Sequence, residues 1–278
     1  LATTSADGSY RFISLEPGLH SVVQLPQYQW QQTSPALVTA GSGMLGSSTF
    51  FTSGTLVRPM SAVYSPDGRQ VYVIGATNAT LEVYSHDPAS GTLSWLQTFV
   101  DDQAGVDGLR YPLSLAISPD GRHVYVGGNT DDAIAIFQRN NATGLLSFVS
   151  VIRDSDPQIT ALDSIVSTTV SPDGLHVYAT AGFNNSLAIF ARNTTTGGLT
   201  LVQVLHEGVD GISGLQYPET SLVSPDGRHV YVASSGNDSL AVFRRDPATG
   251  QLAFVQLLRQ GVGGVAGLDN VKELAISP

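Results

Sequence analysis

The sequence lacks cysteine and contains a single lysine, Lys272, among its 278 residues. Without cysteine the protein has no disulfide, no thiolate nucleophile and no cysteine-ligated zinc. The net charge is −10 and the twelve arginines form no basic stripe, which argues against a nucleic-acid partner because phosphate backbones are bound by clustered cations. The longest apolar runs have the length of a strand, well below the roughly twenty residues that cross a bilayer, so no transmembrane segment is predicted.

Helical periodicity and familiar catalytic motifs are also absent. No segment keeps an apolar 3.6-residue period for three turns, which argues against stacked helical repeats. The sequence contains no His-Glu-x-x-His, no Gly-x-Ser-x-Gly and no Gly-x-x-x-x-Gly-Lys. Candidate calcium ligands at residues 101–102 and 153–157 offer two carboxylates each, whereas calcium takes about six to eight oxygens. No metal and no cofactor are therefore predicted.

One tetrapeptide, Ser-Pro-Asp-Gly, recurs at a fixed interval of 53 residues. A degenerate copy, Ser-Ala-Asp-Gly, lies 60 residues before the first full copy. A fixed period of this length is typical of repeat architectures. We therefore predict one domain over residues 1–278, built from five repeats of which the first is divergent. The repeats begin near Ser5, Ser65, Ser118, Ser171 and Ser224.

Each repeat is predicted to form four antiparallel strands, here called A to D. Pro-Asp-Gly has the composition of a tight turn, and it separates strand A at residues 114–117 from strand B at residues 123–126. A second turn, "DPATG", separates strand C at residues 239–243 from strand D at residues 252–258. A further copy of strand A is predicted at residues 273–277.

The apolar pattern of these strands predicts how the sheets pack. Several strands are apolar at consecutive positions, so both faces of each small sheet must be covered. Four-stranded sheets stacked face to face around an axis meet this requirement, and such a sheet is a β-propeller blade. The predicted fold is an all-β propeller, either a ring of five blades or part of a larger ring, for which seven blades are favoured.

Tyrosine and histidine recur in register on strand B. The tyrosines are predicted to be buried scaffold residues, because positions fixed by packing recur from repeat to repeat. The histidines stand beside the turn and are predicted to be structural or solvent-facing. These residues are Tyr72, Tyr125, Tyr178, Tyr231, His123, His176 and His229.

The stretches "SPDGRHVYVAS" and "NDSLAVFRRDPATGQLAFVQ", with a glycine-rich link back to "LAIS", resemble the bacterial lactonase-type propellers with seven blades. That family includes 6-phosphogluconolactonase-like proteins. The resemblance covers residues 65–278 and implies the propeller fold, with lactone hydrolysis as one activity of such proteins. It carries no catalytic residue over, because the matching positions belong to the scaffold.

Candidate ligand-binding residues lie on one face of the propeller. Strand direction places the B–C turns and the long D–A links together there, and such connections carry most binding groups on scaffolds of this kind. The positions around the start of strand A vary between repeats and would form a channel mouth for a small polar or anionic molecule. A solvated rim with local ion pairs is the alternative. The candidates at the mouth are Arg58, Arg110, Tyr111, Asp163, Tyr217, Glu219, Asp269 and Lys272.

A second group of candidates lies further from the axis, at the end of strand D. Arginine and histidine together can hold a carboxylate or phosphate, and a histidine can act as general base near neutral pH. Adjacent strand residues point to opposite faces, so solvation at the rim is favoured over a His206–Glu207 dyad. These candidates are Arg153, His206 and Arg259.

Two functions from different classes are compatible with these features. The first is an extracytoplasmic binding, interaction or structural module of a larger assembly, with a protein partner; it needs no catalytic constellation and is favoured by the regular repeats and the acidic composition. The alternative is a lactonase-like hydrolase that acts on a sugar-acid lactone in the channel mouth. Glycan sites repeated once per blade are less favoured, because the D–A links differ too much between repeats.

Overall fold

The computed structural model describes residues 3–4, 10–11, 56–157 and 159–276, which form strands, turns and loops. The chain divides into two compact units, residues 1–49 and residues 50–278. In the first unit, β1 (Thr3–Thr4) pairs with β2 (Tyr10–Arg11) in antiparallel fashion. Nothing in the described part of the chain forms a helix with the length and hydrophobicity of a membrane span.

The second unit contains four antiparallel sheets of four strands each, in which neighbours in sequence are neighbours in the sheet. We number these sheets blades 1 to 4 and keep the letters A to D for the strands of each blade. The strands are β3 (Pro59–Tyr64), β4 (Gln70–Gly75), β5 (Thr80–His86) and β6 (Leu93–Val100) in blade 1; β7 (Pro112–Ile117), β8 (His123–Gly128), β9 (Ala133–Arg139) and β10 (Leu146–Arg153) in blade 2; β11 (Ile165–Val170), β12 (His176–Ala181), β13 (Ser186–Arg192) and β14 (Leu199–His206) in blade 3; and β15 (Pro218–Val223), β16 (His229–Ser234), β17 (Ser239–Arg245) and β18 (Leu252–Arg259) in blade 4. The predicted propeller fold and its four-stranded repeat are confirmed.

The Ser-Pro-Asp-Gly turn closes the hairpin between strands A and B through its own side chains. In blade 2, Ser118 Oγ donates to Asp120 Oδ1 at 2.5 Å and accepts a hydrogen bond from the backbone N–H of His123 at 3.0 Å. Gly121 adopts a φ of 68°, a left-handed conformation that glycine tolerates best. Serine, aspartate and glycine are therefore each required by the geometry of this turn.

The four blades pack side by side with strand A innermost. The A strands of successive blades contact one another, so β3, β7, β11 and β15 lie side by side along a common channel. The apolar core lies between blades, and one of its clusters joins Tyr72 and Leu81 of blade 1 to Val124 and Phe137 of blade 2. Apolar residues on both faces of each sheet are thereby buried, as the sequence predicts.

A buried arginine at the end of strand C joins each blade to the one before it. Arg192 of blade 3 donates from Nε to the hydroxyl of Tyr125 at 2.9 Å and from Nη2 to Asp120 at 3.0 Å, both in blade 2. Its Nη2 also lies 2.7 Å from His123 Nδ1, and its Nη1 donates to Gly174 O at 2.7 Å. Because the Arg192 side chain is fully buried, these bonds satisfy a charge that water cannot reach.

We call this arrangement the arginine latch, and it recurs at all three interfaces between the described blades. Burial raises the pKa of each latch tyrosine to about 12. Burial would also raise the pKa of Asp67, but hydrogen bonds from Ser65 and Arg139 outweigh it and lower this pKa to about 2. The other two latches consist of Arg139 with Tyr72, Asp67 and Gln70, and of Arg245 with Tyr178, Asp173 and His176.

The latch settles the role of the recurring strand B residues. Tyr72, Tyr125 and Tyr178 are fully buried, which confirms them as scaffold, whereas Tyr231 of blade 4 is half-buried. His123 and His176 are buried and structural. Among the predicted alternatives for these histidines, the structural one is therefore correct for blades 2 and 3.

The two ends of the predicted repeat pattern differ from the middle. The copy of strand A predicted at residues 273–277 is wrong over its described part, since residues 271–276 form no strand and pair with no described neighbour. The first, divergent repeat lies largely outside the described residues; only β1 and β2 of it are seen. The single domain over residues 1–278 stays a prediction.

Candidate functional site

The inner strands of the four blades line an open channel with a volume of about 480 Å³. Seven of the residues that line it carry a hydroxyl group, and several of these bond across blade boundaries. Ser114 Oγ lies 3.1 Å from Thr168 Oγ1, and Thr169 Oγ1 donates to Ser221 O at 2.7 Å. Such a wall offers donors and acceptors in every direction, which suits a small molecule with many hydroxyl groups. The hydroxyl residues are Ser61, Ser114, Ser167, Thr168, Thr169, Thr220 and Ser221.

One position of the wall changes from blade to blade. It is the second residue of strand A in the four blades, and a fifth copy follows blade 4 at the same spacing of 53 residues. All five residues line the channel. The first three copies are apolar and the last two are charged. They are Met60, Leu113, Val166, Glu219 and Lys272.

The two charged copies form an ion pair. Lys272 Nζ contacts Glu219 Oε1, and the same oxygen accepts a hydrogen bond from Ser235 Oγ at 2.5 Å. Only 10% of the Glu219 side chain is exposed, against 54% for Lys272. The channel wall therefore carries a carboxylate fixed beside an ammonium group, and a second carboxylate, that of Glu273, also lines it.

The residue just before strand A has a left-handed backbone in each of the four described blades, and so has the fifth copy, Asn270; φ lies between 49° and 63°. This conformation is unfavourable for residues with a side chain and costs on the order of 1–3 kcal/mol. It is supported by turns of the preceding blade, since the N–H of Tyr217 donates to Asn185 Oδ1 at 2.7 Å. The recurrence shows that this conformation belongs to the blade geometry. The five copies are Arg58, Tyr111, Ser164, Tyr217 and Asn270.

Three of these copies place large side chains near the mouth of the channel. Arg58 Nη1 donates to the hydroxyl of Tyr111, and the Arg58 guanidinium lies 5.2 Å from the centre of the Tyr111 ring. Tyr217 meets Phe183 edge to face at 6.3 Å, and 68% of Phe183 is exposed. Arg58 forms no ion pair with any residue that the structure describes.

Arg110 and Arg153 are held by a cluster of carboxylates on the same face. Arg110 Nη2 lies 3.3 Å from Asp102, and Arg153 contacts Asp107. Asp101, Asp102 and Asp107 bring carboxylate oxygens within 4.8 Å of one another. Burial, together with neighbouring carboxylates, raises the pKa of Asp101. The cluster could hold a cation, but two guanidinium groups already offset two of its three negative charges.

The remaining predicted residues do not line the channel. The N–H of Asp163 donates to Asn184 Oδ1 at 2.6 Å, and burial raises the pKa of the Asp163 carboxyl. Asp269 is exposed on a D–A link. The structure therefore brings Glu219 and Lys272 together in the channel wall and leaves these two aspartates outside it.

The second predicted group occupies the outermost strands. Arg153, His206 and Arg259 are the last residues of β10, β14 and β18, far along each sheet from strand A. Glu207 Oε2 accepts a hydrogen bond from the backbone N–H of Leu215 at 2.6 Å. Since this bond ties Glu207 to the D–A link, a His206–Glu207 dyad is not formed.

Sequence reasoning missed the hydroxyl wall and the contact from Ser235. The signal that could have found them is the comparison of repeats at one register position. Ser235 stands where the earlier blades have Ala76, Asn129 and Gly182, so it is specific to blade 4 in the same way as Glu219.

The chain matches the model of a protein family described as "Lactonase, 7-bladed beta-propeller" over residues 58–157 and 167–262. A 6-phosphogluconolactonase of Pectobacterium carotovorum is 31% identical over 80 residues, which are 29% of this chain and 24% of that protein. A 6-phosphogluconolactonase of Bacillus subtilis is 33% identical over 85 residues, or 31% of this chain and 24% of that protein. These curated relatives are therefore matched over about a quarter of their length.

A solved structure of the periplasmic gluconolactonase of Pseudomonas aeruginosa superposes with a TM-score of 0.58 at 25% sequence identity. The match covers 73% of this chain and 54% of that protein, so the chain spans about half the length of this neighbour.

These relatives correct the functional prediction. The main prediction, an interaction or structural module, is contradicted, because the relatives and the structural neighbour are named as lactonases. The alternative of a lactonase-like hydrolase agrees better with them. A site assembled from residues of several blades would leave no short motif in the sequence, so the absence of such a motif did not argue against an enzyme. The family model matches most of the chain, and the chain therefore belongs to the lactonase family of seven-bladed β-propellers.

Proposed function

We propose that the protein hydrolyses the lactone of a sugar acid, with water as the second substrate and the open-chain hydroxy acid as product. The observation that carries this proposal is the hydroxyl-lined channel with the Glu219–Lys272 pair in its wall. Hydroxyl groups match a polyhydroxylated ring, and the charged pair lies where an ester group could meet both a base and a cation. The names of the relatives support the same reaction class.

The substrate is, in this proposal, the small polar or anionic ligand expected at the mouth. Arg58 is the mouth cation best placed to contact an anionic group, because Arg110 and Lys272 are already ion-paired with carboxylates. A phosphate or carboxylate on the sugar would replace water around its exposed guanidinium.

Lactone hydrolysis above the spontaneous rate tests this function. Glucono-δ-lactone and its 6-phosphate are offered to the protein, and acid release is followed at constant pH. We expect turnover of at least one lactone, and an increase of about tenfold in KM for the phosphorylated lactone in Arg58→Ala. Arg228→Ala is the matched control, since Arg228 is exposed on a turn of the opposite face. No rate above the spontaneous one for any lactone would refute the function, and an equal KM in Arg58→Ala would refute the anion contact.

We also propose an extracytoplasmic location, which is supported by the periplasmic neighbour from Pseudomonas aeruginosa. Fractionation of the source cells tests it. Recovery of the protein with a cytoplasmic marker would contradict this location without affecting the proposed reaction.

A further inference from the structure

Comparison of the blades at the second residue of strand A separates residues needed for packing from residues that serve a function. Residues needed for packing recur in every described blade, as the latch tyrosines do. At this channel position, however, Met60, Leu113 and Val166 are followed by Glu219 and Lys272. Apolar residues fill the position in three blades, so the scaffold does not require charge there. Because partial burial of a carboxylate is unfavourable, its presence calls for a role in the channel.

The contacts of Glu219 leave one of its oxygens available. Ser235 Oγ and Lys272 Nζ both bind Oε1. Oε2 accepts no hydrogen bond from the residues that the structure describes. Two donors on one oxygen fix the carboxylate plane, since rotation of the group would break both bonds. The second oxygen is therefore held in a defined orientation within a residue that lines the channel.

We propose that Glu219 is the general base of the lactone hydrolysis and that Lys272 stabilises the oxyanion; this inference rests on the proposed function. Glu219 Oε2 takes a proton from a water molecule while the water oxygen forms a bond to the lactone carbonyl carbon. Lys272 Nζ donates a hydrogen bond to the carbonyl oxygen as it becomes negatively charged. When the tetrahedral intermediate collapses, the bond from the carbonyl carbon to the ring oxygen breaks. The ring oxygen then receives the proton from Glu219 and becomes the new hydroxyl group.

The step consumes one water and one lactone and returns Glu219 to its ionised form, so no other reactant is required. The apolar arc of Met60, Leu113 and Val166 lies at the same level of the wall and gives the carbon face of the sugar ring a surface to pack against. Ser235 is a positioning residue, because it acts on the substrate only through Glu219.

Steady-state kinetics of Glu219→Gln on the lactone that the wild type turns over tests the assignment. Loss of a general base lowers kcat by about 10²–10⁴-fold, and we expect KM to stay within about threefold. The low-pH fall of kcat in the wild type should disappear in this variant. Lys272→Met should lower kcat by about 10²-fold or more through loss of the oxyanion contact. Ser235→Ala should show a smaller loss of kcat with the low-pH fall retained.

Asp210→Asn is the matched control, because Asp210 is an exposed carboxylate on a D–A link of the same face and lies outside the channel wall. Its kcat and pH profile should equal those of the wild type. If Glu219→Gln does not fold, as judged by circular dichroism, Glu219→Asp replaces it. The shorter side chain withdraws the carboxylate by one methylene, so we expect at least about tenfold lower kcat with the low-pH fall preserved.

The outcomes separate the two proposals. A wild-type protein without any lactonase activity would refute the proposed function and the inference together. A wild type that hydrolyses a lactone while Glu219→Gln, or Glu219→Asp in its place, keeps its kcat would leave the function standing and refute the role of Glu219. Retention of kcat in Lys272→Met would refute the oxyanion contact alone.

Discussion

His123 and His176 are two buried side chains whose protonation would place a positive charge beside the arginine of their latch. Burial lowers the pKa of both, and the latch arginine beside each lowers it further. The opposite charge of Asp120 beside His123 does not offset this effect. In blade 1 the same position holds Gln70, which faces Arg139 without a titratable group. The latch of Arg139, which contains no histidine, can therefore be compared with the two latches that do.

The consequence is a loss of stability in mild acid. An unfolded histidine binds a proton near pH 6.5, whereas the folded histidines bind it only at lower pH, so their stability is complete above about pH 6.5 and decreases below it. The melting temperature of the wild type should decrease between about pH 7.5 and pH 5. In the double variant His123→Gln, His176→Gln we expect this decrease to be smaller by at least about 2 °C. Circular dichroism melts at each pH measure this difference.

His206→Gln controls for the loss of any histidine, because His206 lies outside the latches, and its melting curve should keep the wild-type pH dependence. Asp67 does not interfere, since its pKa of about 2 means that its contribution is lost only below about pH 4. A double variant with the same acid sensitivity as the wild type would show that other groups govern it.

At the scale of elements, the C–D turn fits against the preceding blade through one glycine. Gly197 has a φ of 78°, and a Cβ placed on it would lie 2.3 Å from His123 Cδ2. Gly91 occupies the same turn position in blade 1, with a φ of 72°, and a Cβ there would meet no described atom within 4 Å. The two glycines therefore share their backbone conformation and differ in their surroundings.

This pair separates backbone strain from interface packing. Gly91→Ala should cost about 1 kcal/mol of unfolding free energy, from the left-handed backbone alone. Gly197→Ala should cost about 3 kcal/mol or more, because the added methyl group also displaces His123 from the latch. Urea unfolding of both variants measures the difference. An equal loss of unfolding free energy in the two variants would mean that the blades can move apart slightly with little loss of stability. This result would contradict the close fit seen between blades 2 and 3.

The strands could be predicted from the sequence because each is defined locally by a turn with a distinctive composition, as Asp120 and Gly121 show. The latch could not be predicted in the same way. Arg192 meets Tyr125 at a separation of 67 residues, and no local pattern specifies which of several recurring polar residues will meet across a blade boundary. Glu219 and Lys272 could be identified from the sequence as two separate candidates. The contact of Glu219 with Ser235 depends on the fold and could not.

At the scale of the whole molecule, each interface between blades joins residues of one blade to residues of the next. Blade 4 carries the residues that the earlier blades contribute to the interface with the blade that follows them. Asp226, His229 and Tyr231 stand at the positions of the latch residues in the earlier blades, yet receive no arginine from the described residues. A second contact between blades, made by a glutamine of strand D, also lacks its partner in blade 4. Gln203 bonds both backbone groups of Leu252 in the next blade, and Gln256 is its copy in blade 4.

The same substitution should therefore have different effects at the two copies. Gln203→Ala breaks two hydrogen bonds across an interface and should cost about 1–3 kcal/mol of unfolding free energy. Gln256→Ala removes an exposed side chain with no described partner, so its cost should stay within about 0.5 kcal/mol. Urea unfolding of the two variants, at equal protein concentration, measures the contrast. A large cost for Gln256→Ala would show that another surface, from this chain or from a second copy, covers blade 4, and its dependence on protein concentration would identify which of the two it is.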